Sequence, residues 1–303
     1  LLSIDAQTLG VTEIIVVDDG CDDDSLAVIK TVAVTMRTPL VVVAGEGIGQ
    51  SAARNRGVMA ATGDLVALID QDDIWMPQHI EMLAHELEIH PESQLSYSDF
   101  TLIDENGSVV STHFNVRLGN THPKASVLEI IREDVFALPS CMLFRRSAFV
   151  ELGGFNPELQ GFEDDDFYLR AFQSAWAPIY VAESLTLYRT HNKGSSRSAS
   201  YWRSRVRYAH IIANAFPDDP WTRRFFVRDI VVPRFRGSIM LDYSAAIAVR
   251  NHQAARALAG SLSDLMSATT ERTVKVRLGI WVLRRPLLAR TLLRSYFRRL
   301  ARR

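Results

Sequence analysis

The chain has 303 residues, 47% of them hydrophobic, which is enough for a sizeable core and suggests about two domains. Its only cysteines are Cys21 and Cys141, which excludes a disulfide framework and a cysteine-based zinc site and favours a reducing, cytoplasmic compartment. There is no apolar run of about 18 residues, and the first residues lack the basic start of a signal peptide. Neither a transmembrane helix nor a secretory leader is therefore expected.

The net charge of -1 conceals a strong asymmetry along the chain. Residues 1–200 hold 13 Lys and Arg against 29 Asp and Glu, whereas residues 201–303 hold 21 against 6. Such a split predicts two units with different partners. We expect a domain at 1–196, suited to metal binding and catalysis, and a helical, basic region at 197–303, suited to anions.

Strand-like and helix-like segments alternate along the first of these regions. The predicted strands are 14–17, 40–43, 65–69, 94–100, one within 139–146, and 185–191. The predicted helices are 25–36, 51–61, 76–90 and 126–132. This alternation predicts an α/β fold with a mostly parallel sheet flanked by helices. On the helix at 76–90, the histidines His79, His85 and His90 are expected at the surface, whereas Trp75 is expected to pack.

A glycine-rich segment lies between the second strand and the following helix. Gly45, Gly47 and Gly49 suggest a dinucleotide-binding fingerprint, but its last glycine would fall at position 50, which is Gln50. A partial match of this kind is weak evidence. The sequence therefore argues against a dinucleotide-dependent dehydrogenase.

The most informative stretch is the apolar run at 65–69, which ends in Asp70, Asp72 and Asp73. Carboxylates this close repel one another unless a positive group lies between them, and divalent cations prefer oxygen ligands. Open α/β sheets also bind their ligands at the carboxyl ends of strands. The alternative is an Asp-rich turn, because aspartate is common in turns. The pattern favours a metal site at this edge.

A second acidic cluster, Glu163-Asp164-Asp165-Asp166, begins a predicted helix. Acids at a helix start are also explained by the helix dipole alone. His191 ends the last predicted strand of the acidic region, where a metal ligand and a structural histidine are both reasonable interpretations. These acids and His191 complete the set of candidate site residues.

The order of five motifs resembles family 2 glycosyltransferases of the GT-A fold. The motifs are VVDDG at 16–20, GxxxARNxG at 49–57, DxDD at 70–73, GGF at 153–155 followed by EDxDFxLR at 163–170, and YRxH at 188–191. The resemblance covers residues 1 to about 196. It implies the nucleotide-diphospho-sugar transferase fold, carrying the C-terminal helical, basic region as an extension.

The resemblance also implies a role for each matching residue. Asp164 would be the catalytic base. Asp72 and His191 would bind Mn²⁺ or Mg²⁺. The nucleotide-sugar site would comprise Asp18 and Asp19 beside the base, Arg54 facing the pocket, Asp70 at the ribose or assisting the metal, and Glu163.

These roles imply an inverting, metal-dependent transfer of a hexosyl or N-acetylhexosaminyl group from a nucleotide-diphosphate sugar, such as a UDP-sugar. The acceptor would be a hydroxyl of a saccharide or lipid-linked acceptor in polysaccharide, lipopolysaccharide or glycolipid assembly, with 112–125 contributing to its choice. The alternative is a catalytically inactive GT-A-like binding or scaffold module. It is favoured because residues 1–9 resemble the helix that follows the family's usual first strand, so that strand is expected to be lacking.

The segment 271–303 holds 11 basic residues and one acid. Apolar residues alternate with the arginines, which predicts an amphipathic helix on an anionic membrane surface and a peripheral location at the inner face of the membrane. A solvated helix packed on the catalytic domain is the alternative. Nucleic-acid binding is not expected, because no recognition motif accompanies the charge.

Overall fold

The structure is a computed structural model that describes residues 1–191, 199–269 and 281–286. The chain divides into two compact units, Leu1–Ile130 with Asp134–Ser196, and Ile131–Glu133 with Arg197–Arg303. In the described residues the first unit is α/β and the second is helical. Within the same residues, no helix combines the length and apolar character needed to cross a bilayer. The predicted basic helix at 271–303 lies outside the described residues, apart from 281–286.

The secondary structure follows the predicted alternation. The strands are β1 Ile14–Asp18, β2 Leu40–Ala44, β3 Leu65–Ala67, β4 Ile74–Trp75, β5 Leu95–Ile103, β6 Val109–Ser111, β7 Met142–Arg145 and β8 Ile179–Arg189. The helices of the first unit are α1 Leu2–Asp5, α2 Ser25–Ala33, α3 Gln50–Ala60, α4 His79–Ile89, α5 Phe114–Leu118, α6 Val127–Arg132 (which continues into the second unit), α7 Arg146–Glu151 and α8 Glu163–Gln173. The second unit continues with α9 Ala199–Ala215, α10 Val232–Ala248 and α11 His252–Ser267.

The strands form two sheets. β1 and β2 pair in parallel, and among the described strands β1 pairs with no other. The six-stranded sheet has the order β3-β7-β5-β8-β4, with β6 also on β5. In this sheet β5 and β8 are parallel, whereas β3 with β7, β5 with β7, β4 with β8, and β5 with β6 are antiparallel.

The expectation of a mostly parallel sheet is therefore wrong for the larger sheet, which is mixed. Parallel neighbours need a crossover of about a dozen residues or more, usually a helix. The connection from β5 to β6 is instead the turn at Asp104–Gly107, where Gly107 N–H donates to the Asp104 carbonyl at 3.0 Å. Strands and helices that alternate in the sequence therefore do not determine whether neighbouring strands run parallel, because a short turn such as this one reverses the direction of the chain.

The predicted strand at 65–69 is shorter than expected, because β3 ends at Ala67. The chain then turns, with Asp73 N–H donating to the Asp70 carbonyl at 3.1 Å, before β4 begins. The three carboxylates thus lie in a turn between two short strands. This turn combines the two interpretations of the sequence, an acidic edge and an Asp-rich turn.

The core beneath this turn is apolar. Trp75 is buried, as expected, and its Nε1–H donates to the Ser140 carbonyl at 2.7 Å. The buried cluster around it consists of Ile4, Ile14, Ile80, Leu83, Leu87, Leu143, Val181 and Leu185. Burial of these side chains joins β1, α4, β7 and β8 in one core and supports the acidic turn from below.

His79 corrects an expectation, because it is fully buried rather than at the surface. Its ring stacks on Trp75 with centroids 4.5 Å apart, and Nδ1 donates to the Leu185 carbonyl at 3.2 Å. His85, on the same helix, is exposed. Burial lowers the pKa of His79 to about 3, so the ring is neutral in the folded protein at neutral pH.

In the second unit, α9, α10 and α11 each bury aromatic or aliphatic side chains. Tyr208 of α9 and Phe235 of α10 are buried with ring centroids 6.1 Å apart. In α11, Leu258 and Leu262 are buried at a spacing of four residues, the period of one helix face. Between 199 and 269, most of the chain lies in helices, with a non-helical segment between α9 and α10.

The buried His79 predicts a specific acid sensitivity. Below pH about 6.5 the unfolded chain binds a proton on this side chain that the folded protein does not, so the free energy of unfolding falls as pH falls. The loss approaches about 1.4 kcal/mol per pH unit. Between pH 6.5 and 5, we expect His79→Gln to lose about 1–2 kcal/mol less than wild type in urea unfolding. His85→Gln is the matched control and should keep the wild-type slope; equal slopes for wild type and His79→Gln would contradict a buried neutral ring.

Candidate functional site

Asp19 organises the glycine-rich loop at 45–49. Its carboxylate accepts from the backbone N–H groups of Glu46 at 3.1 Å, Gly47 at 2.8 Å and Gly49 at 2.8 Å. A Cβ on Gly45 would lie 2.5 Å from Asp19 Oδ1, so only glycine fits there without displacing the carboxylate. The first function of Asp19 in this structure is to hold the loop that precedes α3.

Asp18 lies at the end of β1, next to Asp19. Its Oδ1 accepts from the backbone N–H groups of Gly20 at 3.2 Å and Cys21 at 2.9 Å. These hydrogen bonds lower the pKa of the half-buried Asp18 carboxyl, with the Cys21 backbone as the largest cause. Asp18 therefore shapes the loop after β1 and remains a carboxylate at neutral pH.

Arg54 joins two acidic segments. From α3 its Nη2 donates to Asp70 Oδ1 at 2.7 Å and Oδ2 at 2.8 Å, and its Nη1 donates to Glu163 Oε1 at 2.7 Å. Burial by itself would lower the pKa of Arg54, but the two carboxylates outweigh it and raise that pKa. The guanidinium thus fixes the acidic turn after β3 next to the start of α8.

Glu163 has both carboxylate oxygens occupied and is buried. Besides Arg54, Gln50 Nε2 donates to Oε1 at 2.6 Å and the Gly161 N–H donates to Oε2 at 2.6 Å. A carboxylate held by three donors has little capacity left for a ligand. Glu163 is therefore placed to position α8 and its neighbour Asp164.

Asp164 follows Glu163 in the first turn of α8 and is partly exposed. Burial raises the pKa of its carboxyl, and the negative charges of Asp165 and Glu163 raise it further, whereas Arg54 and the Asp165 N–H oppose the rise. Its neighbours in the cluster have structural partners: Asp165 Oδ1 accepts from Val135 N–H at 2.8 Å, and Asp166 pairs with Arg170 at 2.8 Å. The raised pKa favours uptake of a proton by Asp164.

Asp72 and His191 form a second contact in the acidic turn. His191 Nε2 lies 3.0 Å from Asp72 Oδ2, and the two side chains are 35% and 37% exposed. Asp73, the next residue, is buried and accepts from the Arg189 backbone N–H at 3.0 Å. Burial raises the pKa of Asp73 to about 7, and the charges of Asp70 and Asp72 contribute to the rise.

The donor set fits a divalent cation only in part. Within the described residues, no group of three or more His, Cys, Asp or Glu side chains is arranged to hold a metal ion. One carboxylate oxygen and one imidazole nitrogen, both partly exposed, can supply two ligands. Such a pair suits Mn²⁺ better than Mg²⁺, which demands oxygen ligands, and would leave most positions around a cation unfilled by the protein.

The structure brings most of the predicted residues into two contact groups. Arg54, Asp70 and Glu163 form the first, with Asp164 adjacent in sequence to Glu163, and Asp72 with His191 forms the second. Asp18 and Asp19 are bonded to loop amides instead, so their proposed contact with a nucleotide base stays a prediction.

Sequence reasoning missed Gln50 and Arg189. Gln50 lies one helical turn before Arg54, on the same face of α3, and that i, i+4 spacing could have identified it. Arg189 is part of the YRxH motif, but nothing in the sequence indicated that its guanidinium would contact the acidic turn. Both became apparent only from the contacts.

Residues 1–153, half of the chain, match the family described as Glycosyl transferase family 2. The chain belongs to glycosyl transferase family 2. The uncharacterised glycosyltransferase YwdF of Bacillus subtilis (strain 168) is 32% identical over 216 residues, 69% of this chain and 74% of YwdF. The amylovoran biosynthesis glycosyltransferase AmsE of Erwinia amylovora is 28% identical over 170 residues, 56% of this chain and 61% of AmsE. The predicted family and the enzyme class, glycosyltransferase, are confirmed.

Solved structures support the fold. S. aureus TarS 1–349, crystallised in complex with UDP-GlcNAc, matches this family 2 chain with a TM-score of 0.67. The match covers 98% of this chain and 86% of the TarS chain at 19% identity. The predicted GT-A fold is thereby confirmed.

The two ion pairs of Arg54, with Asp70 and with Glu163, form the Arg54 bridge. Because both depend on the shape of the guanidinium, we predict that another positively charged side chain will not replace it. Lysine offers one ammonium and cannot bond both carboxylates with the same geometry. We expect Arg54→Lys to lower the free energy of unfolding by about 1–3 kcal/mol in urea. Arg56→Lys is the control on the same helix: Arg56 is 45% exposed and lies 3.5 Å from Glu46, and its substitution should change stability by less than about 0.5 kcal/mol. Equal effects of the two substitutions would show that the bridge has no structural importance.

Proposed function

We propose that this chain transfers a sugar from a UDP-sugar to an acceptor hydroxyl, with inversion at the anomeric carbon and dependence on Mn²⁺. The observation that carries the proposal is the Arg54 bridge. It holds Asp70, from the turn that also contains Asp72, beside Glu163, the residue before Asp164. The buried guanidinium of Arg54 therefore keeps the proposed donor-binding groups and the proposed proton acceptor in one site.

The donor side of this site is the turn after β3. Asp70 has its carboxylate oriented by Arg54 and remains 35% exposed, so it can also accept from a ribose hydroxyl. Asp72 and His191 would hold the cation, which, when bound, stabilises negative charge on the departing diphosphate. Asp18 and Asp19 hold their loops by hydrogen bonds, and these loops would lie beside the nucleotide base.

The acceptor side is the start of α8. Asp164 takes the proton of the acceptor hydroxyl as the oxygen attacks the anomeric carbon. The bond between that carbon and the diphosphate oxygen breaks, and its electron pair leaves with UDP. Because a single carboxylate acts as the base and no enzyme nucleophile takes part, one displacement inverts the configuration.

The identity of the donor and the pathway rest on similarity. TarS was crystallised with UDP-GlcNAc, which supports a UDP-sugar, and AmsE is a biosynthetic enzyme for amylovoran, which supports a saccharide or lipid-linked acceptor in cell-surface polysaccharide assembly. The loop 112–125, which contains α5, contributes to acceptor choice in this proposal.

Two substitutions test the chemistry separately. We expect Asp164→Asn to lower UDP release from its UDP-sugar about 10²–10⁴-fold, because the base is lost while donor binding is kept. Asp72→Asn should lower it about 10²–10³-fold and weaken Mn²⁺ binding. Release of UDP from a panel of UDP-sugars measures the rates, and thermal shift with Mn²⁺ measures donor binding.

Asp64→Asn serves as the control, because Asp64 is exposed at the residue before β3. It should keep wild-type rates. Donor binding by a wild type that turns over no donor would favour the inactive binding module. Asp164→Asn with near wild-type turnover would instead assign the base elsewhere.

We also propose that 271–303 contacts an anionic membrane surface, a prediction that rests on its 11 basic residues and falls largely outside the described structure. The full chain should co-sediment with vesicles containing phosphatidylglycerol and be released as salt is raised, because electrostatic attraction to lipid is screened. Equal sedimentation with neutral and anionic vesicles would contradict the proposal.

A further inference from the structure

Arg189, at the end of β8, bonds the acidic turn at two points and the turn between β5 and β6 at a third. Its backbone N–H donates to Asp73 Oδ1 at 3.0 Å, and its Nε donates to the Asp72 carbonyl at 3.0 Å. Its Nη1 donates to the Asp104 carbonyl at 3.2 Å, in the turn between β5 and β6. The side chain therefore bonds the backbone of the residue that carries the candidate metal carboxylate.

The position of Arg189 matters because His191 follows it by two residues. Asp72 and His191 come from segments far apart in sequence, one in the turn after β3 and the other beyond the end of β8. Their side chains meet at 3.0 Å although both are partly exposed. A pair of ligands binds a cation tightly only if the segments that carry them are already held at the right separation.

We propose that Arg189 is a positioning residue for the Asp72–His191 metal pair. It fixes the Asp72 backbone against the strand that delivers His191, without itself touching the cation. The inference rests on the proposed function and adds to it a residue to which the motif had assigned no role. Asp104 supplies the third anchor, so the guanidinium is held in one orientation.

The geometry requires arginine. Nε and Nη1 of one planar guanidinium bond two carbonyls on different turns, and this fork is rigid. A lysine ammonium retains the positive charge near the acidic turn but cannot span both carbonyls with a fixed plane. Arg189→Lys therefore keeps the positive charge near the acidic turn but removes the pair of side-chain hydrogen bonds that joins the two turns.

The chain offers a matched control in Arg145. Its Nε donates to the Ser93 carbonyl at 2.9 Å and its Nη2 donates to the Leu87 carbonyl at 2.7 Å. Arg145 lies opposite Leu65, at the start of β3, rather than at the acidic turn. Arg145→Lys thus removes the same kind of backbone clamp from another part of the same unit.

The experiment measures Mn²⁺ affinity of the full chain by loss of the free Mn²⁺ electron paramagnetic resonance signal, with and without UDP. We expect Arg189→Lys to bind Mn²⁺ about tenfold more weakly, and Arg145→Lys to bind like wild type. Turnover by Arg189→Lys should recover toward the wild-type kcat as Mn²⁺ is raised, because only the affinity of the site is impaired. Urea unfolding should show similar stability losses for both variants.

The outcomes separate the two proposals. Wild-type affinity in Arg189→Lys would overturn the positioning role and leave the proposed metal site intact. An equal loss of affinity in both variants would also overturn it, because general destabilisation would then explain the effect. A wild-type chain that binds no Mn²⁺, with or without UDP, would overturn the metal part of the proposed function and the role of Arg189 with it.

Discussion

The ion pairs of Arg54 with Asp70 and Glu163 are the interaction on which the site depends. A guanidinium only 11% exposed is costly to bury unless its charge is matched, and here two carboxylates match it at 2.7 Å. The partners lie 16 and 109 residues away along the chain. Loss of either would leave a charge buried without its partner. The bridge therefore specifies one arrangement of α3, the acidic turn and α8, and alternatives that separate them are disfavoured.

The rest of the GxxxARNxG motif makes this bridge possible through packing. Asn55 bonds both the N–H and the carbonyl of Phe155 at 2.8 Å, and a Cβ on Gly154 would lie 2.6 Å from its Oδ1. Gly57 lets α3 approach β1, because its Cβ would meet Val17 at 3.2 Å. Within the motif, Gln50 also donates to Glu163, but Arg54 is the residue that bonds both Glu163 and Asp70. Much of what identifies the family is thus a constraint on how α3 docks, and the chemistry depends on that docking.

Sequence patterns within short segments predicted the features of this structure that depend on neighbouring residues alone. The acids after β3 and at the start of α8 could be found because apolar runs end in carboxylates, and alternation located most strands and helices. Strand direction and side-chain burial depend on distant partners, and the predictions that failed, a mostly parallel larger sheet and an exposed His79, are of this kind. The larger sheet is mixed because β7 runs antiparallel to β3 and β5, and β4 antiparallel to β8. His79 is buried because Trp75 and β8 cover it. The hydrogen bonds from loop amides to Asp19 and from Arg189 to the acidic turn are tertiary contacts, and no residue spacing in the sequence predicts them.

Asp72 and Asp164, the two acids proposed to act in the chemistry, differ by environment rather than by residue type. Asp72 is partly exposed and lies against an imidazole, so its carboxylate is available to a cation. Asp164 is crowded by Asp165 and Glu163, and burial and like charge raise its pKa, which favours taking up a proton. Arg54 moderates that crowding, because its charge opposes the rise for Asp164 while it neutralises Asp70 and Glu163. The guanidinium of Arg54 thus holds the turn that contains Asp72 beside the start of α8, so the proposed cation ligand and the proposed base keep different surroundings on either side of one buried residue.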